Sequence, residues 1–123
     1  MTVRELMTRL DGLTANQYAA ADKLRWLCEV EETVLREILL THESDREITF
    51  TPYDTVDDTA LLVPEPYSRL YPLYLETQIH YHNGEIGKYN NAAAAFRGAL
   101  EDFRNYHNRT HMPRQQAKSL GLM

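Results

Sequence analysis

Two pairs of side chains stand at spacings that could hold a metal ion. Glu29 and Glu32 are three residues apart, and His107 and His111 are four apart, so each pair would share one helical face. Two acids at this spacing could form half of a magnesium site, but no second acidic pair appears on another predicted helix. The histidine pair has no acidic or cysteine partner after it, so we interpret it as surface polarity. We therefore predict no metal and no cofactor.

Other catalytic signatures are also missing from the sequence. It contains no glycine-rich phosphate loop and no serine or cysteine nucleophile motif. The single cysteine, Cys28, excludes an internal disulfide and a cysteine-built zinc site, and its apolar helical surroundings predict a buried, inert thiol. Nothing in the sequence indicates an active site, and we predict a protein that is not an enzyme.

The charge of the chain is unevenly distributed. Its 123 residues suit one domain, and the formal net charge of -5 argues against nucleic-acid recognition. Residues 42–66 carry one base, Arg46, and seven acids: Glu43, Asp45, Glu47, Asp54, Asp57, Asp58 and Glu65. Residues 104–123 carry no acid and four bases: Arg104, Arg109, Arg114 and Lys118. These segments are either simply solvated or form complementary patches that meet another copy or a partner, and the sequence leaves both possibilities open.

The N-terminal residues are charged and contain no apolar run long enough for a signal peptide or a membrane span. We therefore expect the chain to be made in a reducing cytoplasm, with no membrane partner.

A helical hairpin over about residues 67–108 organises the chain. Its second arm carries one apolar face at steps of three and four, formed by Ile86, Tyr89, Ala93, Phe96, Leu100 and Phe103. Its first arm carries a tyrosine stripe formed by Tyr67, Tyr71, Tyr74 and Tyr81. Asn83-Gly84 tolerates the left-handed backbone that ends a helix before a turn. Pro72 either kinks the first arm or marks its true first turn.

Two more helices are predicted before the hairpin. Thr2 and Glu5 form a capping box at the start of the first helix, and the second begins between Thr14 and Asp22 and reaches about Thr41. A long irregular loop over about 42–66 follows, within which residues 47–51 alternate as a short strand would. Residues 110–123 form a C-terminal extension. The fold is thus predicted to be all-α, a single four-helix bundle-like domain over residues 1–123.

Five short segments stand out when they are taken in order: Lys23-Leu24-Arg25-Trp26-Leu27, the run from Asp57 to Tyr67, Asn83-Gly84-Glu85-Ile86, Lys88-Tyr89-Asn90-Asn91 and the run from Tyr106 to Pro113. Together these segments resemble head–tail connector (adaptor or head-completion) proteins of tailed double-stranded-DNA bacteriophages. The resemblance covers nearly the whole chain, and it resides in the order and spacing of the segments together.

This resemblance implies a structural subunit of the virion neck. Such proteins form a homo-oligomeric ring, commonly dodecameric, that docks under the phage portal protein and extends the DNA channel. DNA would be only passing cargo, and the ring would provide a platform for the next neck or tail-terminator protein. The long loop and the C-terminal extension typically make the contacts between subunits and with the portal.

On this basis we single out candidate interface residues. The portal or inter-subunit interface is assigned to Arg104, Arg109, Arg114, Lys118, Tyr67 and Tyr71. The acidic loop, as a contact or as the channel wall, is assigned to Asp54, Asp57 and Asp58. The alternatives are a small helical magnesium-dependent nucleotide hydrolase and a regulatory binding module.

Overall fold

The computed structural model describes residues 1–42 and 48–112. Four α-helices account for most of them, in the order α1 (Val3–Leu13), α2 (Ala20–Val34), α3 (Leu70–Asn83) and α4 (Ile86–Thr110). A π-helical turn, Leu35–Leu39, continues α2, and a 3-10 turn, Tyr67–Arg69, leads into α3. The described residues contain no strand, and the predicted all-α class is confirmed. In particular, residues 48–51 do not form the strand that their alternation suggested.

The first helix begins as its sequence predicts. The Thr2 hydroxyl accepts a hydrogen bond from the Glu5 amide at 3.1 Å, and the Glu5 carboxylate accepts one from the Thr2 amide at 2.9 Å. This capping box satisfies two backbone donors that an isolated helix end leaves unpaired. One side of α1 is fully buried at Val3, Leu6 and Leu10.

The second helix changes its hydrogen-bonding pattern near its end. The apolar face of α2 continues into the π-helical turn, where Ile38 and Leu39 are also buried. At the end of that turn the Leu40 amide donates to the Leu35 carbonyl at 2.8 Å, a step of five residues instead of four. The helical run therefore ends close to the predicted position, but not as a regular α-helix.

Helices α3 and α4 pack against each other in opposite directions. Ring pairs run along their contact: Tyr67 with Phe103 (5.9 Å between ring centroids), Tyr74 with Phe96 (5.1 Å) and Tyr81 with Tyr89 (5.7 Å). Between these rings α4 contributes small buried residues, among them Ala92, Ala93 and Ala99. Small side chains let two helix backbones approach closely.

The two ends of α3 follow local backbone rules. Pro72 is the third residue of the helix, where an amide hydrogen would have no intrahelical partner, so it marks the first turn. At the other end Gly84 adopts φ 74°, and its amide donates to the Tyr81 carbonyl at 3.1 Å. A left-handed glycine closes α3 and lets the chain reverse into α4.

Ile86 and Trp26 both lie near the turn between α3 and α4, and they differ in exposure. Ile86, predicted on the inner face of α4, is 66% exposed because it is the first residue of that helix and lies beyond the packed core. Trp26 is buried at 3% exposure and packs on Tyr18 and His82, at the end of α3.

We predict opposite effects for alanine at two glycines. Gly84→Ala should lower the free energy of unfolding by about 1 kcal/mol, because alanine is strained at positive φ. Gly98→Ala should raise it by roughly 0.5–1 kcal/mol, because Gly98 lies within α4 and a Cβ there meets no atom within 4 Å. Urea denaturation measures both. A stabilised Gly84→Ala variant would contradict the assigned backbone of the turn.

Candidate functional site

A buried carboxylate holds the long loop against the helices. Glu31 of α2 is fully buried, and its Oε2 accepts hydrogen bonds from the Tyr53 hydroxyl (2.7 Å) and the Leu62 amide (3.0 Å). Its Oε1 accepts one from the Tyr71 hydroxyl at 2.6 Å. One side chain therefore joins α2, two points of the loop and α3.

The electrostatic environment of Glu31 is unusual because all three partners are neutral donors. Burial raises the pKa of the Glu31 carboxyl above its ordinary value, and the three hydrogen bonds offset only part of that rise. Burial and the neighbouring Glu31 charge also raise the pKa of Tyr71 well above its ordinary value. The Tyr71 hydroxyl accepts a hydrogen bond from the Val63 amide at 2.8 Å, which extends the network along the loop.

The same loop is bound to the start of α1. The amides of Val3 and Arg4 donate to the carbonyls of Thr59 (3.0 Å) and Asp57 (2.9 Å), so the loop pairs backbone donors in the first turn of that helix. Thr2 and Ala60 form an antiparallel bridge. The loop is irregular in backbone but closely attached to the helices.

Cys28 forms a further attachment of this loop. Its sulfur accepts a hydrogen bond from the Tyr53 amide at 3.3 Å. The thiol is half-buried, less buried than predicted, and desolvation raises its pKa. A raised thiol pKa reduces the thiolate fraction, so the side chain acts here as a hydrogen-bonding partner of the loop.

The three acidic loop residues have different surroundings. Asp57 accepts hydrogen bonds from the Thr59 amide (2.9 Å) and the Thr55 hydroxyl (3.2 Å). The side chain and amide of Thr59, with a smaller contribution from Thr55, hold the pKa of Asp57 below its ordinary value. Asp58 forms an ion pair with Arg4 at 3.3 Å. Asp54 is exposed. Asp57 and Asp58 therefore shape the loop, and Asp54 is the member most open to a partner.

The two tyrosines assigned to an interface are not equivalent. Tyr71 is fully buried, so its assignment to a portal or inter-subunit contact is corrected: its hydroxyl is bound to Glu31 and its ring lies in the core. Tyr67 is half-buried and stacks on Tyr106, with 4.7 Å between ring centroids. Part of Tyr67 remains accessible.

Two of the four predicted basic residues, Arg104 and Arg109, lie in the last two turns of α4. Arg104 is bound to Glu37 at 3.5 Å and to Glu101 at 3.1 Å, so its charge is locally balanced. Arg109 is exposed. The other two members of this predicted group, Arg114 and Lys118, lie outside the described residues.

Large exposed apolar side chains lie at the two ends of the α3–α4 hairpin. At the turn between the helices, Tyr81 is 61% and Ile86 66% exposed. Leu13, 63% exposed, ends α1 near the same turn, where the Tyr18 hydroxyl donates to Asn83 Oδ1 at 2.6 Å. We call this region the turn end. At the other end Met112 is 62% exposed after α4, and Leu40 is 36% exposed after the π-helical turn. We call this region the terminal end.

A ring stack and two pairs formed by Glu85 hold the turn end together. His82 stacks on Trp26 with 5.3 Å between ring centroids and 14° between planes. Glu85 binds His80 at 3.0 Å and Lys88 at 3.2 Å, and these hydrogen bonds lower the pKa of Glu85 to about 2. The exposed Tyr81 and Ile86 therefore lie at a turn in which Glu85, His80 and Lys88 are already paired with one another.

The acidic pair considered for magnesium takes part in other contacts. Glu29 accepts a hydrogen bond from the Tyr74 hydroxyl at 3.1 Å, and Glu32 lies 3.7 Å from Arg36. Within residues 1–42 and 48–112, no group of three or more His, Cys, Asp or Glu side chains is arranged to hold a metal ion. Of the helices in this part of the chain, none has both the length and the hydropathy of a membrane span.

The sequence did not single out two buried polar residues, Glu31 and His107. Glu31 lies at helical spacing among the apolar positions of α2, and an acid at such a position was the available signal. His107 was interpreted as surface polarity, yet only 5% of it is exposed. The i,i+4 spacing from Phe103, a core residue, was the available signal.

Comparisons with protein-family models, with curated proteins and with solved structures find no match to this chain.

We predict that Glu31→Gln lowers the free energy of unfolding by roughly 1–3 kcal/mol, because the amide nitrogen cannot accept a hydrogen bond from the donors that surround it. Glu29→Gln, on the same helix but exposed, is the matched control and should change stability by less than about 0.5 kcal/mol. Equal effects of the two substitutions in urea denaturation would refute the role of the buried carboxylate.

The decrease in unfolding free energy caused by Glu31→Gln should also depend on pH. A folded-state pKa raised above the unfolded value means that the carboxyl stabilises the fold most when protonated. Its contribution is complete below the unfolded pKa and is lost as pH rises through the folded pKa. The difference in unfolding free energy between wild type and Glu31→Gln should therefore be larger at pH 5 than at pH 7. The opposite trend would show that the three donors outweigh desolvation.

Proposed function

We propose that this protein is a structural subunit of a head–tail connector ring in the virion of a tailed double-stranded-DNA bacteriophage. The ring would dock under the portal protein, extend the DNA channel and carry the next neck or tail-terminator protein. The proposal rests on the resemblance of the ordered sequence segments together with the distribution of exposed surface on the folded chain.

The observation that carries the proposal is the separation of exposed apolar residues to the two ends of the hairpin. Singly exposed apolar residues are normal on any surface. Here the large ones lie at opposite ends: Leu13, Tyr81 and Ile86 at the turn end, and Met112 at the terminal end. A subunit placed between two partners requires two separate contact regions, and this arrangement supplies them.

The attached loop supports the same function through its energetics. Ordering a free loop on binding costs about 0.5–1.5 kcal/mol for each immobilised long side chain. Glu31, Cys28 and the start of α1 already hold residues 53–62 in place. A neighbouring subunit that contacts Asp54 would therefore meet a surface that is already formed.

The outer surface of α4 suits a lateral contact between copies. Ala94, Ala95 and Gly98 are exposed there, and small residues let a neighbouring helix approach closely. The exposed Asp54 on the loop and Arg109 on α4 offer charges of opposite sign for such a contact. A net charge of -5 would also keep a channel wall from binding the passing DNA, because phosphate binding requires Lys and Arg.

Assembly can be tested directly with purified components. Light scattering would give the mass of the protein alone and after mixing with particles that carry the portal but lack this subunit. We expect a ring of fixed stoichiometry on the particles. A protein that remains unbound at concentrations well above those in an infected cell would refute the proposal.

We predict that charge reversal at the terminal end blocks assembly. Arg109→Glu combined with Arg114→Glu should abolish incorporation into particles while leaving helical content unchanged, because neither side chain belongs to the core pattern. Arg97→Glu combined with Arg9→Glu, at exposed positions towards the middle of α4 and on α1, changes the net charge by the same amount and is the matched control. Incorporation is measured by quantifying the subunit in purified particles. Unchanged incorporation of the double variant would contradict the assignment of this end.

The turn end has its own prediction. Tyr81→Ser combined with Ile86→Ser should reduce attachment of the partner at that end by at least tenfold, because both side chains are exposed and apolar. Circular dichroism should show an unchanged helical signal. Normal attachment by this variant would mean that the turn end is not a contact region.

A further inference from the structure

Three histidines meet where α4 ends beside the π-helical turn. The ring of His42 packs edge-on against His107 with 4.7 Å between centroids. His107 in turn stacks on His111 at 3.9 Å, with 15° between the ring planes. His42 and His107 are only 6% and 5% exposed. We call His42, His107 and His111 the histidine cluster.

Both ring nitrogens of His42 have hydrogen-bond partners within the chain. Its Nδ1 lies 2.7 Å from the Ile38 carbonyl, which can only accept, so Nδ1 carries a proton. Its Nε2 lies 2.7 Å from Asn108 Oδ1. If the His42 ring is protonated, its Nε2 donates to Asn108 Oδ1. If the ring is neutral, Nε2 accepts from the Asn108 amide nitrogen after a 180° rotation of that amide group. Asn108 therefore keeps His42 bound to α4 in either protonation state.

His107 has no such arrangement. Its Nε2 is buried and has no hydrogen-bond partner among the described residues. A proton added to this ring would place an uncompensated charge in an apolar environment beside Phe103 and two other imidazoles. Desolvation, followed by the charges of His111 and His42, lowers the pKa of His107 to about 4.

Among the described residues, the charges on the elements that meet here do not compensate a protonated His107. Those elements carry the charged side chains Arg36, Glu37, Arg69, Glu101, Asp102, Arg104 and Arg109 near this end. Glu37 and Glu101 are bound to Arg104, and Asp102 is bound to Arg69. Arg109 adds a further positive charge to this end.

We propose that the histidine cluster is a proton-sensitive contact: with neutral rings it attaches the last two turns of α4 to the end of the π-helical turn, and protonation of His107 weakens that attachment so that these turns open more often, although the hydrogen bond between His42 and Asn108 remains. The device is independent of the connector proposal, because it follows from burial and hydrogen bonding within one chain.

The sign of the effect follows from proton linkage. His107 titrates at a lower pH in the folded chain than in an unfolded one, so it binds a proton more weakly in the folded state. The stability it supports is complete above the unfolded pKa near 6.5 and is lost as pH falls towards about 4. Glu31 acts in the opposite direction, because its raised pKa favours the fold at low pH. A local measurement is therefore needed in place of global unfolding.

Hydrogen exchange followed by mass spectrometry tests the proposal on the full chain. Protection factors, which correct for the intrinsic pH dependence of exchange, would be compared at pH 7 and pH 5 for residues 104–110. Linkage predicts a loss of protection of up to about twentyfold in this segment. The amides of α1 should lose much less.

Two matched His→Phe variants separate the cluster from other histidines. His107→Phe retains an aromatic ring but cannot titrate, so residues 104–110 should keep their protection at pH 5. His82→Phe preserves the stack on Trp26 at the far end of the molecule and should behave as wild type. Equal loss of protection in His107→Phe and wild type, or no loss in wild type, would overturn the proposal.

A measurement on the unmodified chain decides the matter if His107→Phe fails to fold. The imidazole resonances of His107 can be followed by NMR between pH 7.5 and pH 4. A midpoint well below 6 supports the proposed contact. A midpoint at 6.5 or above would overturn it, because the folded state would then bind the proton at least as well as the unfolded chain.

Discussion

The fold depends on burying one carboxylate. Glu31 sits inside the domain with no cation among its described partners, and hydrogen bonds from the hydroxyls of Tyr53 and Tyr71 and from the Leu62 amide offset part of the cost of burying it. Because these donors come from the loop and from α3, satisfying this one side chain fixes the loop against the helices at Tyr53 and Leu62. Residues 53–62 are irregular in conformation, yet they are attached to the helices at several points.

That constraint has a consequence for surface chemistry. The loop also pairs the first amides of α1 and binds Arg4 through Asp58, so most of its polar groups are already used internally. The groups that remain exposed for a partner include Asp54 on the loop, Arg109 and the small residues on the outer face of α4, and the apolar side chains at the two ends of the hairpin. A rigid body with separated contact regions is the physical basis of the proposed connector function, and the histidine cluster adds a means of altering one of those ends.

Much of the helical architecture could be predicted from local signals. The capping box at Thr2 and Glu5 and the left-handed Gly84 each act through neighbouring backbone groups, so they can be identified without knowledge of the fold. Candidate interface residues were harder to assign because accessibility is a tertiary property. Tyr71 shares a stripe with Tyr67 and Tyr81, but only the packing of α2, the loop and α3 shows that Tyr71 is in the core. Periodicity places residues on a face and does not say what covers that face.

By itself the sequence determined the all-α class, the position of the hairpin turn and the absence of any recognisable catalytic motif, because these follow from periodicity, capping and residue type. Only the tertiary structure decided that Glu31 joins the loop to two helices and that His42, at one end of the loop, meets His107 near the end of α4. These contacts unite residues that are 22 to 65 positions apart. Such pairs leave no local pattern, because the burial that makes them matter exists only once the chain has folded.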